Sequence, residues 1–314
     1  MHPDNKVMVR IVDNIEKVLV GKREAIEMVV AALMCSGHIL VEDVPGVGKT
    51  SLVSALAKSI NASFKRIQFT PDIMPSDITG FSMFNPKTNE FEYQRGSIFS
   101  NLILADEINR TPPKTQASLL EVMEERQVSI DGVTYPLPEL FMVLATQNPI
   151  EYIGTYPLPE AQLDRFIMRI TLGYPDNRSE FEMISRYEYK NPLESLSSVS
   201  DIEEILEAKE EIKKVFVADL IKKYVVDLAD ATRNHPGILL GASPRASLNL
   251  LSLSKSFAFY HGRDFVLPDD VQKLLGYAWS HRMLLTQDSR MKGNRPDRIL
   301  ETIIRNVRTP VIEK

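Results

Sequence analysis

The chain has 314 residues, 44% hydrophobic and 25% charged, with a formal net charge of −5. The mild acidity disfavours a general nucleic-acid or anionic-membrane surface, and a lone cysteine, Cys35, excludes an intrachain disulfide. No apolar run approaches the ~18 residues of a membrane span, and the N-terminus lacks an apolar leader core, so a cytoplasmic protein with no membrane span is expected.

Residues 6–35 read as two helices broken at Gly21-Lys22. Their apolar positions are Val7, Ile11, Ile15 and Val18, then Ile26, Val29, Val30 and Leu33. Cys35 closes this run and reads as a buried, inert thiol. His38-Ile39-Leu40-Val41 is a strand that leads into Val44-Pro45-Gly46-Val47-Gly48-Lys49-Thr50, and Ser51 opens an amphipathic helix. Strand, glycine turn and helix together form the context of a nucleoside triphosphate site. The loop from Pro45 through Ser51 would wrap the phosphates, because backbone N–H groups converge there at a helix N-terminus. Lys49 would reach the β- and γ-phosphates, and the Thr50 hydroxyl would ligate Mg²⁺. Asp43 stands where the consensus has its first glycine; it begins the turn, where a short polar side chain is tolerable.

Residues 64–69 form a second strand candidate. The Pro-, Gly- and aromatic-rich stretch 71–100 reads as a β-hairpin insertion. Asn101-Leu102-Ile103-Leu104-Ala105 fits a strand buried on both faces that ends on two carboxylates, Asp106 and Glu107. Asp106 would hold Mg²⁺ directly or through water. Glu107 would polarise the water that attacks the γ-phosphate, and a second acid argues for hydrolysis beyond mere binding. A helix is expected over 113–126 with Thr111 as N-cap. A hairpin follows at 128–135, its turn Asp131-Gly132. Strands at 141–145 and 166–172 complete a parallel sheet covered on both faces. Beyond Gly173-Tyr174-Pro175-Asp176 the chain reads as helical, near 178–190, 201–212, 217–234, 245–261 and 268–281. The expected organisation is an α/β nucleotide-binding domain over 1–174 and an α-helical lid over 175–314.

Both phosphate motifs recur with Ala105-Asp106-Glu107-Ile108-Asn109-Arg110-Thr111-Pro112-Pro113, Ala145-Thr146-Gln147-Asn148-Pro149, Leu163-Asp164-Arg165-Phe166 and Gly241-Ala242-Ser243-Pro244-Arg245-Ala246. With these segments the chain resembles the AAA+ ATPases, and more closely the MoxR family. The resemblance implies a P-loop NTPase (AAA+) fold with β-hairpin inserts and a smaller all-α lid. It implies that Asn148 is the first sensor, which positions the attacking water. Arg165 resembles the arginine finger offered to a neighbouring subunit, with Arg110 and Arg169 as runners-up. Arg245 resembles the second sensor, serving its own or a neighbour's nucleotide. Val18-Leu19-Val20-Gly21 resembles the segment lining the adenine pocket, with Val20 and Gly21 contacting the base.

In the same class both hairpins face the pore of a ring. Phe81, Phe84, Phe91 and Tyr93 would either grip a polypeptide there or pack the insertion's own small core. Lys87 and Arg95 are balanced by Glu90 and Glu92, which argues against a DNA-threading pore. The five histidines show no metal-ligand spacing, and His38 reads as structural. Glu121, Glu124, Glu125 and Arg126 form a charged helix end suited to solvent or a subunit contact. The implied function is Mg²⁺-dependent ATP hydrolysis by a homo-oligomeric ring, a hexamer. Hydrolysis would drive chaperone-like remodelling or maturation of client protein complexes, metal-cofactor insertion included. The resemblance also implies a partner with a von Willebrand factor A domain. The alternatives are a motor subunit of a metal-chelatase-like complex and a DNA translocase.

Overall fold

A computed structural model describes residues 5–149 and 154–311. In chain order, α1 (Lys6–Glu16) and α2 (Arg23–Met34) precede β1 (His38–Glu42) and α3 (Lys49–Ser59). Next come β2 (Phe64–Gln68), α4 (Pro75–Thr79), the hairpin β3 (Gly80–Asn85) and β4 (Glu90–Arg95), and β5 (Leu102–Asp106). Then follow α5 (Pro113–Glu125), the hairpin β6 (Gln127–Ile130) and β7 (Val133–Pro136), β8 (Met142–Gln147), α6 (Glu160–Leu163) and β9 (Phe166–Ile170). The rest comprises α7 (Asn177–Tyr189), α8 (Ile202–Lys214), α9 (Asp219–Arg233), β10 (Ile238–Leu240), α10 (Pro244–Tyr260), α11 (Pro268–Trp279), β11 (Leu284–Leu285), α12 (Gln287–Met291) and α13 (Pro296–Asn306).

Five strands form a parallel sheet in the order β2-β5-β8-β1-β9. Alternate residues serve opposite faces, as the two-residue period of a strand requires. Ile39, Val41, Leu102, Leu104, Met142 and Leu144 face α1, α2 and α3, and that core continues into α8, α9, α10, α11 and α13. Leu40, Ile103, Ala105, Val143 and Ala145 face the other way, against Leu119, Leu120, Val122 and Met123 of α5 and against Ile78, Ile98 and Val128 by the hairpins. Burial on both faces explains why these strands read as continuous apolar runs.

Two local expectations are corrected. The helical part is not all-α, because β10 and β11 pair antiparallel within it. Thr111 does not cap α5: Pro112 is the N-cap residue, and the Thr111 hydroxyl is buried without a partner. Proline at N1 supplies a preset φ in place of a side-chain cap. His38 is structural as expected. Its Nδ1 accepts the Val143 N–H at 3.0 Å, so the other ring nitrogen is the donor to the Met123 carbonyl at 3.1 Å. Among the described residues no helix is long and apolar enough to cross a membrane.

Candidate nucleotide site

In a parallel sheet with helical crossovers, ligands bind beyond the carboxyl ends of the strands. The ends of β1, β5 and β8 meet there around a cavity of about 380 Å³, lined by Pro45, Gly46, Gly48, Lys49, Thr50, Ser51, Arg66, Gln68, Asp106, Glu107 and Asn148. The loop after β1 turns through two left-handed glycines, Gly46 at φ +86° and Gly48 at φ +96°. No atom lies within 4 Å of where a Gly46 side chain would start, so the demand there is conformational, not steric. Gly48 ends the turn as the N-cap residue of α3 and points the helix N-terminus into the cavity. Val47 lines no part of the cavity; its side chain packs on the core. The Lys49 ammonium donates to the carbonyls of Asp43 (3.1 Å) and Val44 (3.2 Å), neutral acceptors that anionic phosphate oxygens would outcompete.

Asp43 has a different task from the glycine it replaces. Its carboxylate is buried and accepts three backbone N–H groups: Val44 at 2.9 Å, Leu172 at 2.6 Å and Gly173 at 2.7 Å. Lys22 holds the same segment from the other side through the Leu172 and Tyr174 carbonyls, both at 2.8 Å. The phosphate loop is thereby tied to the chain as it leaves β9.

At the tip of β5, Asp106 Oδ1 accepts the Thr146 hydroxyl at 2.6 Å, and Oδ2 takes the Arg66 guanidinium at 2.6 and 3.1 Å. Glu107 stands in the left-handed region at φ +58°, a cost that non-glycine residues bear mainly at functional sites. Its N–H donates to the Thr146 hydroxyl at 2.9 Å, and its carboxylate meets Gln68 at 3.0 Å and Arg110 at 3.1 Å. Asn148, just past β8, is buried beside them. Arg66 and Gln68 are cavity residues that the sequence reading missed. The parallel register pairs Gln68 with Asp106, so side chains on that face of β2 meet the acids. Alternation within β2 gave the only sequence signal, and it does not name the neighbouring strand.

The Thr50 hydroxyl and Asp106 carboxylate form an oxygen-only donor set that suits a hard divalent cation retaining several waters. Arg66 would have to share or yield Asp106 Oδ2. The residues therefore fit Mg²⁺ together with nucleotide phosphates.

Arg165 and Arg245 lie elsewhere. Arg165 immediately precedes β9, whose first residue pairs with His38 at the start of β1. It thus sits at the amino edge of the sheet, about five strand residues or roughly 15 Å from the phosphate loop. Glu124, near the end of α5, accepts Arg165 at 2.7 Å and Arg245 at 2.8 Å, and these two guanidinium groups, Arg165 first, hold its carboxyl below the usual range. Asp164 pairs instead with the buried Arg282 at 3.0 Å, so it is not the partner of Arg165. Of the runners-up, Arg110 meets Glu107, while Arg169 pairs with Glu42 at 2.9 Å and contacts Asp297 at 3.7 Å. Val20 and Gly21 line a separate open cavity of about 560 Å³ with Asp176, Arg178 and Ser179 of the α7 start. The close approach at Gly21 is to Ser179, whose Oγ would overlap a Cβ at that position.

A phosphate loop on β1, paired acids on β5 and a buried amide at the end of the strand between them define a P-loop ATPase of the AAA class. Residues 38–168 match the ATPase family associated with various cellular activities (AAA), and residues 230–303 match the AAA lid domain. The chain is 49% identical over 311 residues to the protein YeaC of Bacillus subtilis, covering 99% of this chain and 96% of that one. It is 39% identical to chaperone MoxR1 of Mycobacterium tuberculosis, covering 96% of this chain and 82% of the relative. The crystal structure of a candidate ATPase from Cytophaga hutchinsonii superposes with a TM-score of 0.92 at 41% identity, over 98% of this chain and 96% of that one. The chain belongs to the MoxR family of AAA+ ATPases.

Proposed function

We propose that the protein hydrolyses ATP as a Mg²⁺-dependent hexameric ring and uses the cycle for chaperone-like remodelling of client proteins. In this reading residues 1–174 hold the nucleotide and residues 175–314 act as the lid. The observation that carries it is the split of the machinery between the two edges of one sheet. Lys49, Asp106, Glu107 and Asn148 gather at the carboxyl edge, while Arg165 and Arg245 share Glu124 at the amino edge. Arginines on the far edge are too distant to reach their own chain's nucleotide, which supports a reading in which Arg245 as well as Arg165 acts in trans.

The chemistry is in-line displacement at the γ-phosphorus. Glu107, freed from Gln68 and Arg110, accepts a hydrogen bond from the attacking water, and Asn148 fixes the water's position. The bond to the ADP oxygen breaks as the bond to water forms. Lys49 and the neighbour's Arg165 and Arg245 offset the charge on the phosphoryl oxygens. Thr50 and Asp106 would hold Mg²⁺, which would supply charge neutralisation to the phosphates.

The name of the relative chaperone MoxR1 supports a protein client. The first hairpin supports it too, since it exposes Phe81 and Met83 on one face and Phe84 and Phe91 on the other, where a DNA motor needs basic side chains. The test is steady-state hydrolysis across protein concentration, wild type beside Arg165→Ala. Specific activity that rises with concentration in wild type and is lost in the variant is expected. Flat activity indifferent to Arg165 would refute the shared site.

A further inference from the structure

A cavity of about 630 Å³ lies apart from the nucleotide site. It opens at the amino edge of the sheet, between the end of α2, the end of α5, α8 and α10. Two cations converge on one residue inside it: the Lys209 ammonium donates to the Ser36 hydroxyl at 2.9 Å, and the Arg126 guanidinium donates to the Ser36 carbonyl at 2.7 Å. Lys209 is 8% exposed and Arg126 is half-buried. Among the described residues neither forms an ion pair within 4.0 Å.

Burying charge without a counter-ion is costly, and buried cations are ordinarily paired. Three ammonium and five guanidinium donors here have one neutral residue between them. The carboxylates of the cavity, Glu139, Glu207 and Glu210, are exposed at its mouth, and Glu210 is already paired with Lys213 at 2.6 Å. Burial, reinforced by Arg126, pushes the Lys209 ammonium down to about 8, and the opposing pull of Glu139 does not offset it. Leu206, Leu248 and Leu251 line an apolar wall beside the cations.

We propose that this cavity binds a phosphate monoester, its dianionic phosphate held between Lys209 and Arg126 and its organic part laid against Leu206, Leu248 and Leu251. Two fixed positive charges match a dianion, and a bidentate guanidinium suits phosphate geometry. The site is separate from the phosphate loop, since Ser36 precedes β1 and the loop follows it.

The test is calorimetric titration of phenyl phosphate into four proteins: wild type, Lys49→Ala, Lys209→Met and Arg126→Gln. Lys49→Ala should bind like wild type, whereas Lys209→Met and Arg126→Gln should each weaken binding by about tenfold or more, the worth of one charged hydrogen bond. Lys209→Arg should restore most of the affinity, and inorganic phosphate should bind more weakly than the ester. No binding to wild type overturns the proposal, as does binding lost in Lys49→Ala but kept in Lys209→Met. Equal affinity for inorganic phosphate and the ester would remove the organic ligand.

Discussion

His38 shows how one buried side chain makes the fold pH-sensitive. Burial drives its pKa from the ordinary 6.5 down to about 4. Between those values the unfolded chain binds a proton that the folded one refuses, so stability falls as pH drops through this window. The gap corresponds to roughly 3 kcal/mol at most. Burial likewise lowers His281, which adds a loss of the same sign. Urea midpoints at neutral pH and near pH 4.5 test the assignment: His38→Gln should be less stable at neutral pH yet lose less on acidification than wild type. An equally steep acid loss in the variant would assign the sensitivity elsewhere. Asp43 carries a stability role of its own. Because its carboxylate accepts three backbone N–H groups, Asp43→Gly restores the phosphate-loop consensus but strands those donors. The variant should lose about 3 kcal/mol in denaturant unfolding, and a loss under about 0.5 kcal/mol would mean the segment finds other partners.

Among the elements, the two hairpins behave as a coupled pair. Tyr93 of β4 stacks on Tyr135 of β7 with ring centroids 4.3 Å apart, and its hydroxyl donates to the Thr79 carbonyl. Tyr93 therefore serves the insertions' own packing, whereas Phe84 and Phe91 meet edge to face at 5.5 Å and remain exposed. A double-mutant cycle on Tyr93→Ala and Tyr135→Ala should return about 1 kcal/mol of coupling, and additive losses would mean the hairpins are independent. The second hairpin was legible in the sequence because Asp131 and Gly132 both need positive φ, which they adopt at +51° and +79°. The central strands β1, β5 and β8 were legible from unbroken apolar runs, whereas β2 carries Lys65 and Arg66 and showed only alternation. The strands β10 and β11, three and two residues long, are too short for any period to register. Thr111 looked like a cap because caps are read from residue type, while Pro112 took the cap position and Pro113 preset the first turn instead.

For the whole molecule, the phosphate loop and paired acids were legible because each is a contiguous segment. The partners Arg66, Gln68 and Glu124 were not, because they meet these residues only through strand order and helix placement. Glu124 read as one of several charges at a helix end, suited to solvent or a subunit contact; in the fold it gathers the two arginines that the sequence had set 80 residues apart. Joining them on one carboxylate fixes both at the amino edge and predicts behaviour under subunit mixing. Glu107→Gln subunits should bind ATP but turn over about a hundredfold or more slowly, as expected when a general base is removed. They still present intact arginines, while Arg165→Ala and Arg245→Ala subunits still present an intact Glu107. Mixing Glu107→Gln with either arginine variant should therefore restore part of the hydrolysis that each lacks alone. Rescue of Arg165→Ala without rescue of Arg245→Ala would break the pair and return Arg245 to its own chain's nucleotide. Rescue of neither would refute action in trans, and with it the case for a ring as the working unit.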